Sequence, residues 1–176
     1  RIVDYRRNCW LIFQDVMKTR FLSITGSLLL CWMLTGCEDN YISSIPNYPV
    51  SLELNLTASY PTFIDNPYQF LVFEKPRYDY EYLGYGGILV VCGFGSDRPY
   101  EYYAYDLACP HEADAKIKVT PNGEGQAVCN TCGSVFDIVN GFGNPIDDSP
   151  AKEPLKRYKT YLDSKPFGEY LIITRK

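Results

Sequence analysis

Four soft side chains restrict this chain more than any other feature does: Cys109 and His111 in "CPHE", then Cys129 and Cys132 in "CNTCGSVFD". They read as C-x-H, an interval of seventeen residues, and C-x-x-C. A fold that uses them together must bring two loops to one point. C-x-x-C followed by Gly133 is a tight turn that can aim two thiolates at one centre. C-x-H differs, because mononuclear zinc sites usually draw on cysteines spaced C-x2-4-C. A two-iron cluster meets no such difficulty, since each loop can give one ligand to each iron. The spacing therefore favours a binuclear centre over a single zinc.

The surrounding chain reads as strands. "VSLELNLT" alternates apolar and polar side chains with period two, the mark of a half-buried strand. "YQFLVFEK" and "GGILVVCGF" are short runs rich in aromatic and β-branched residues. "YEYYAYDL" alternates less cleanly but has the same composition. "KIKVTPNGEGQAVC" reads as a hairpin turning at Pro-Asn-Gly and delivering Cys129 at its far end. "SVFDIV" leads into a loop with Gly141, Gly143, Pro145, Pro150 and Pro154, and "EYLIITRK" is a last strand. No window holds an apolar period of 3.6, so the expected class is all-β. The 16 tyrosines suit strand surfaces and require no ligand.

The N-terminal region has a different character. Met17 opens "MKTRFLSITGSLLLCWMLTGC": Lys18 and Arg20, an apolar stretch from Phe21 to Leu34, then Leu34-Thr35-Gly36-Cys37. This layout is that of a secretory signal, and it closely resembles a bacterial lipoprotein signal, whose final cysteine is acylated. The apolar stretch is shorter than the roughly 20 residues that span a bilayer. The expected organisation is an upstream segment at 1–16, a signal peptide at 17–36 and a lipidated Cys37. A tether at 37–49 then leads to one domain at 50–176, anchored in the bacterial cell envelope. The leader removes more basic than acidic residues, so the mature chain is more acidic than the net charge of −4 for the whole. With no basic block, nucleic acid is not an expected partner.

The cysteines can now be accounted for. Of 7, Cys9 and Cys31 leave with the leader, Cys37 takes lipid, and Cys92 in "ILVVCGF" is expected to be an inert core residue. Cys109, Cys129 and Cys132 remain, and three cannot all pair with one another. That points to metal.

Residues 86–176 resemble the Rieske domain family. The resemblance is carried by Cys109-Pro110-His111, Cys129-Asn130-Thr131-Cys132, Gly133-Ser134, Phe136-Asp137 and the "GNPIDDSPAKEPL" segment. It implies an antiparallel β-sandwich with a small cluster-binding part of two loops at about 105–155, and a [2Fe–2S] cluster. Cys109 and Cys129 would hold one iron, with His111 and residue 132 on the other. The family has histidine where this chain has Cys132, and His111 is the one histidine in the chain. The centre implied is thus three cysteines and one histidine, with Ser134 donating a hydrogen bond to it. A third thiolate lowers the potential, as does Phe136 where high-potential members have a hydrogen-bonding tyrosine. An oxygenase iron site of two histidines and a carboxylate cannot be built from one histidine. The expected role is therefore an electron carrier for an unidentified redox partner protein, not an enzyme.

Export sets a rival against this reading. The leader from Met17 lacks an Arg-Arg pair and resembles a Sec signal, which threads an unfolded chain. The centre would then acquire its metal outside the cytoplasm. The alternatives are zinc at the four ligands, or a Cys129–Cys132 disulfide with Cys109 free, in a non-redox lipoprotein that keeps the fold as a binding scaffold.

Overall fold

The computed structural model describes residues 43–94 and 100–175; the leader and Cys37 lie outside the described residues. Ten strands follow in chain order, numbered β1 to β10: Val50–Asn55, Phe70–Phe73, Tyr82–Leu83, Ile88–Cys92, Tyr102–Asp106, Val119–Pro121, Gln126–Cys129, Val135–Asp137, Arg157–Lys165 and Gly168–Thr174. One four-residue helix, α1 (Leu56–Ser59), interrupts them. The all-β expectation holds, and every pairing is antiparallel.

Seven strands form one sheet in the order β2-β4-β5-β9-β10-β1-β3, and β6-β7-β8 form a second. Each of the seven contributes to a single apolar cluster: Leu52 and Leu54, Phe73, Leu83, Ile88 and Val90, Ala104, Tyr158, Leu171 and Ile173. A sheet whose strands all face one cluster must curl around it. Cys92 belongs to this core and is fully buried, and burial pushes its thiol up to about 11, as befits an inert residue.

β4 and β5 are buried at every position. Ile88 and Val90 enter the first core, while Leu89 and Val91 point the other way into a second. That second core holds Tyr105, Leu107, Phe136, Ile138, Leu155, Cys109 and Cys129. A strand covered on both faces loses its apolar–polar alternation, which explains the unbroken run "ILVVC" and the irregular "YYAYD". The small sheet thus packs on the outer face of β4–β5 and carries the cysteines with it.

Two sequence expectations need local correction. The strand read through Thr57 ends at Asn55, whose side chain caps α1 by accepting from Ala58 N at 2.9 Å. In the segment read as tether, Ile45 is buried. Its carbonyl, that of Pro46 and Asn47 Oδ1 all accept from Lys156 Nζ at 2.7–2.8 Å. The part of the tether within the described residues is therefore docked on the domain.

The connection from β2 to β3 is held by Arg77, which pairs with the buried Glu81 and donates to Tyr60 Oη and Glu53 O. Burial pushes the Glu81 carboxyl up, but the hydrogen bonds and charge of Arg77 outweigh it and hold it below its ordinary value. A carboxyl depressed on folding stabilises the fold above its unfolded value, and that contribution fades as pH falls through the folded one. Glu81→Gln should therefore cost about 2 kcal/mol at pH 7, with the gap to wild type closing in acid. Urea unfolding at pH 7 and at pH 3 measures it; a gap independent of pH would show that the pair does not set it.

Candidate metal centre

Two strand-like pairings bring the loops together. Segment 107–109 lies beside β6: Val119 N donates to Leu107 O at 2.8 Å, Cys109 N donates to Ile117 O at 3.0 Å, and Ala108 bridges Lys118. On its other side β6 pairs with β7, placing Val119 opposite Cys129. The hairpin forms as its sequence predicts, with Asn122 Oδ1 accepting from the amides of Glu124 and Gln126 at 3.0 Å. Cys109 and Cys129 thus flank one short strand, and their loops open toward the same end.

Each loop is closed by its own backbone. Ala113 N donates to Cys109 O at 2.9 Å across the C-x-H turn, and Gly133 N donates to Cys129 O at 2.8 Å across C-x-x-C. Gly133 has φ +76, a left-handed conformation that glycine adopts without penalty. The 143–155 segment folds back along β8 as a third loop, with Ala151 N donating to Ser134 Oγ at 2.9 Å. Ser149 Oγ both accepts from Val135 N and donates to Val135 O, at 3.0 Å each.

The result is a group of three sulfurs, Cys109, Cys129 and Cys132, all within 4.8 Å of one another, a set that could hold a metal ion. Cys109 and Cys132 Sγ stand 3.7 Å apart, too far for a disulfide, whose sulfurs lie about 2.05 Å apart. All four described cysteines are free. Cys109 and Cys129 are fully buried, Cys132 is half-buried, and the His111 side chain is exposed and outside the three-sulfur group. Three of the four expected ligands are therefore together. His111 shares the turn of Cys109 but does not join them as the side chains stand. Ser134 Oγ stands 3.0 Å from Cys132 Sγ. Asp147 and Asp148 are exposed loop carboxylates.

Electrostatics divides the thiols. Burial pushes Cys109 up to about 12, against the backbone N–H groups of Glu112 and His111 that bond to its sulfur. Burial also acts on Cys132, but hydrogen bonds from the Ser134 hydroxyl and amide and from its two cysteine neighbours outweigh it, and its pKa is lowered. N–H and O–H groups aimed at sulfur stabilise thiolate, the form that binds metal.

Sequence reasoning missed Asp106, a fully buried carboxylate three residues before Cys109. Its signal was a charged residue closing the apolar run "YYAYD". No protein-family model matches this chain, and no curated protein or solved structure matches it.

Proposed function

We propose that this protein is an electron carrier of the Rieske type, lipid-anchored in a bacterial envelope through Cys37, with a low-potential [2Fe–2S] centre. The ligands would be Cys109 and Cys129 on one iron, His111 and Cys132 on the other. The observation that supports it is the division of the ligands by depth. Each loop supplies one fully buried cysteine, and one residue nearer solvent. Two metal atoms, one inner and one outer, are the arrangement that uses such a set. His111 stands outside the three-sulfur group, on the solvent side of the Cys109 turn, and its ring would have to swing toward Cys132 to share the outer iron. Bound there, a cluster would exchange single electrons. The chain's own residues would set its charge, shield its inner half from water and donate hydrogen bonds to its sulfurs.

A second reading has its own support. Thiolates around one zinc, each about 2.3 Å from it, stand about 3.8 Å apart at the corners of a tetrahedron. The 3.7 Å between Cys109 and Cys132 matches that edge, whereas ligands on different irons are held farther apart by the bridging sulfides. On this reading the three cysteines hold a structural zinc, and the domain is a scaffold for binding.

Full-length protein purified without oxygen decides between them. Iron and labile sulfide in equal amounts, with a one-electron redox change, are expected. Zinc without sulfide would overturn the carrier reading. His111→Ala sharpens the result, because it should lose the cluster but leave three thiolates able to keep zinc. Intact mass tests the anchor, and a mature chain that retains Met17 and carries no acyl mass would refute it.

A further inference from the structure

We propose that Asp106 is a positioning residue for the metal centre, holding both ends of the Cys109–Ala113 turn through one buried carboxylate. The inference rests on the three cysteines binding a metal, whichever metal that is. Asp106 closes β5 with no exposed surface. Its Oδ1 accepts from Gly86 N at 2.9 Å and Ala108 N at 2.8 Å. Its Oδ2 accepts from Tyr85 N at 2.8 Å and Tyr158 Oη at 2.5 Å. Four donors on two oxygens fill the capacity of an ionised carboxylate, which is acceptor-only.

The 84–87 turn is shaped for this contact. A Cβ on Gly86 would lie 2.6 Å from Ala108 N and 2.9 Å from Asp106 Oδ1, and one on Gly84 would strike Tyr158 Oη. Glycine at both places lets the amides of Tyr85 and Gly86 reach the carboxylate.

Both ends of the metal-binding turn depend on this cluster. At its start, Asp106 takes the amide of Ala108, fixing the peptide that leads into Cys109. At its end, Tyr85 Oη donates to Ala113 O at 3.3 Å, and the Tyr85 backbone is itself held by Asp106. An apolar residue would be the cheaper occupant of a core, so a buried carboxylate spent on these donors is best explained by the placement it enforces. Partners that orient metal ligands commonly change affinity 10–100-fold when removed.

The test uses cobalt(II) as probe on the full reduced chain, comparing wild type with Asp106→Asn, Tyr158→Phe and Leu52→Ala. Asparagine keeps the shape but turns an NH2 toward donors. Leu52 lies in the other core and controls for lost stability. Asp106→Asn should weaken cobalt binding about 10–100-fold in chelator competition, shift the ligand-field bands, and speed amide exchange at 108–113. Leu52→Ala should leave all three unchanged while the chain stays folded. Should Asp106→Asn not fold, Tyr158→Phe must still shift the bands. Wild-type affinity, bands and exchange in either folded Asp106→Asn or Tyr158→Phe would overturn the proposal. Wild type that binds cobalt but never iron would sink the carrier reading and leave this one standing; wild type that takes up neither cobalt, zinc nor iron would end both.

Discussion

Cys129→Ala will leave the protein without stoichiometric metal, while Cys92→Ala will keep the full amount and lose only stability. The two cysteines make a controlled comparison because both are fully buried at the ends of strands. Cys92 packs among Ile88, Val90 and Tyr102 in the core that the large sheet encloses. Cys129 lies in the other core, within 4.8 Å of two further thiols. Truncating either removes a sulfur from close packing and should cost about 1–3 kcal/mol. Only one truncation also removes a corner of the centre. Metal that binds the folded chain adds RT ln(1 + [L]/Kd), about 2.7 kcal/mol at a hundredfold excess over Kd. Added zinc should thus raise the unfolding temperature of wild type and Cys92→Ala but not of Cys129→Ala. Because ligand thiols must lose protons, the gain should grow from pH 6 to pH 8. Elemental analysis and thermal unfolding give both readings. Full metal content in Cys129→Ala would show that the centre is built elsewhere.

What could be read in the sequence, and what could not, follows from the kind of information each feature carries. Strands with one buried face were visible as alternation, as in β1, where Leu52 and Leu54 point inward between exposed Ser51 and Glu53. The hairpin that delivers Cys129 was visible because Asn122 and its neighbours specify a turn locally. β9 was not seen: of "RYKTYLDSK" only Tyr158 is buried, and the segment is a strand because β5 and β10 pair with it. The three cysteines could be grouped by counting alone, since an odd number of thiols needs another partner. Spacing says nothing of side-chain direction, however, and His111 was grouped with them although its ring lies outside. Asp106 escaped for a related reason. A lone carboxylate beside tyrosines looks like strand composition until the chain folds and four donors converge on it.

If the centre is the proposed iron–sulfur cluster, Cys132→His should raise its reduction potential. The substitution replaces a thiolate at one iron by a neutral imidazole, so the site loses a full negative charge. Negative charge near the irons favours the oxidised state, and its removal favours reduction. One effect works the other way. Ser134 Oγ stands 3.0 Å from Cys132 Sγ, and hydrogen bonds to sulfur raise the potential, so losing that contact lowers it. A hydroxyl brings only a partial charge to the sulfur, whereas the thiolate carries a whole one directly on the iron, so the charge effect should win. Two imidazoles in place of one should also steepen the pH dependence, since each can bind a proton more tightly once the irons are reduced. Redox titration of both proteins at several pH values reads the sign and the slope together. A potential that stays level or falls in Cys132→His would refute the charge argument. Absence of any redox wave in either protein, with zinc bound in both, would instead assign Cys132 to a corner of a single-ion site whose work is structural.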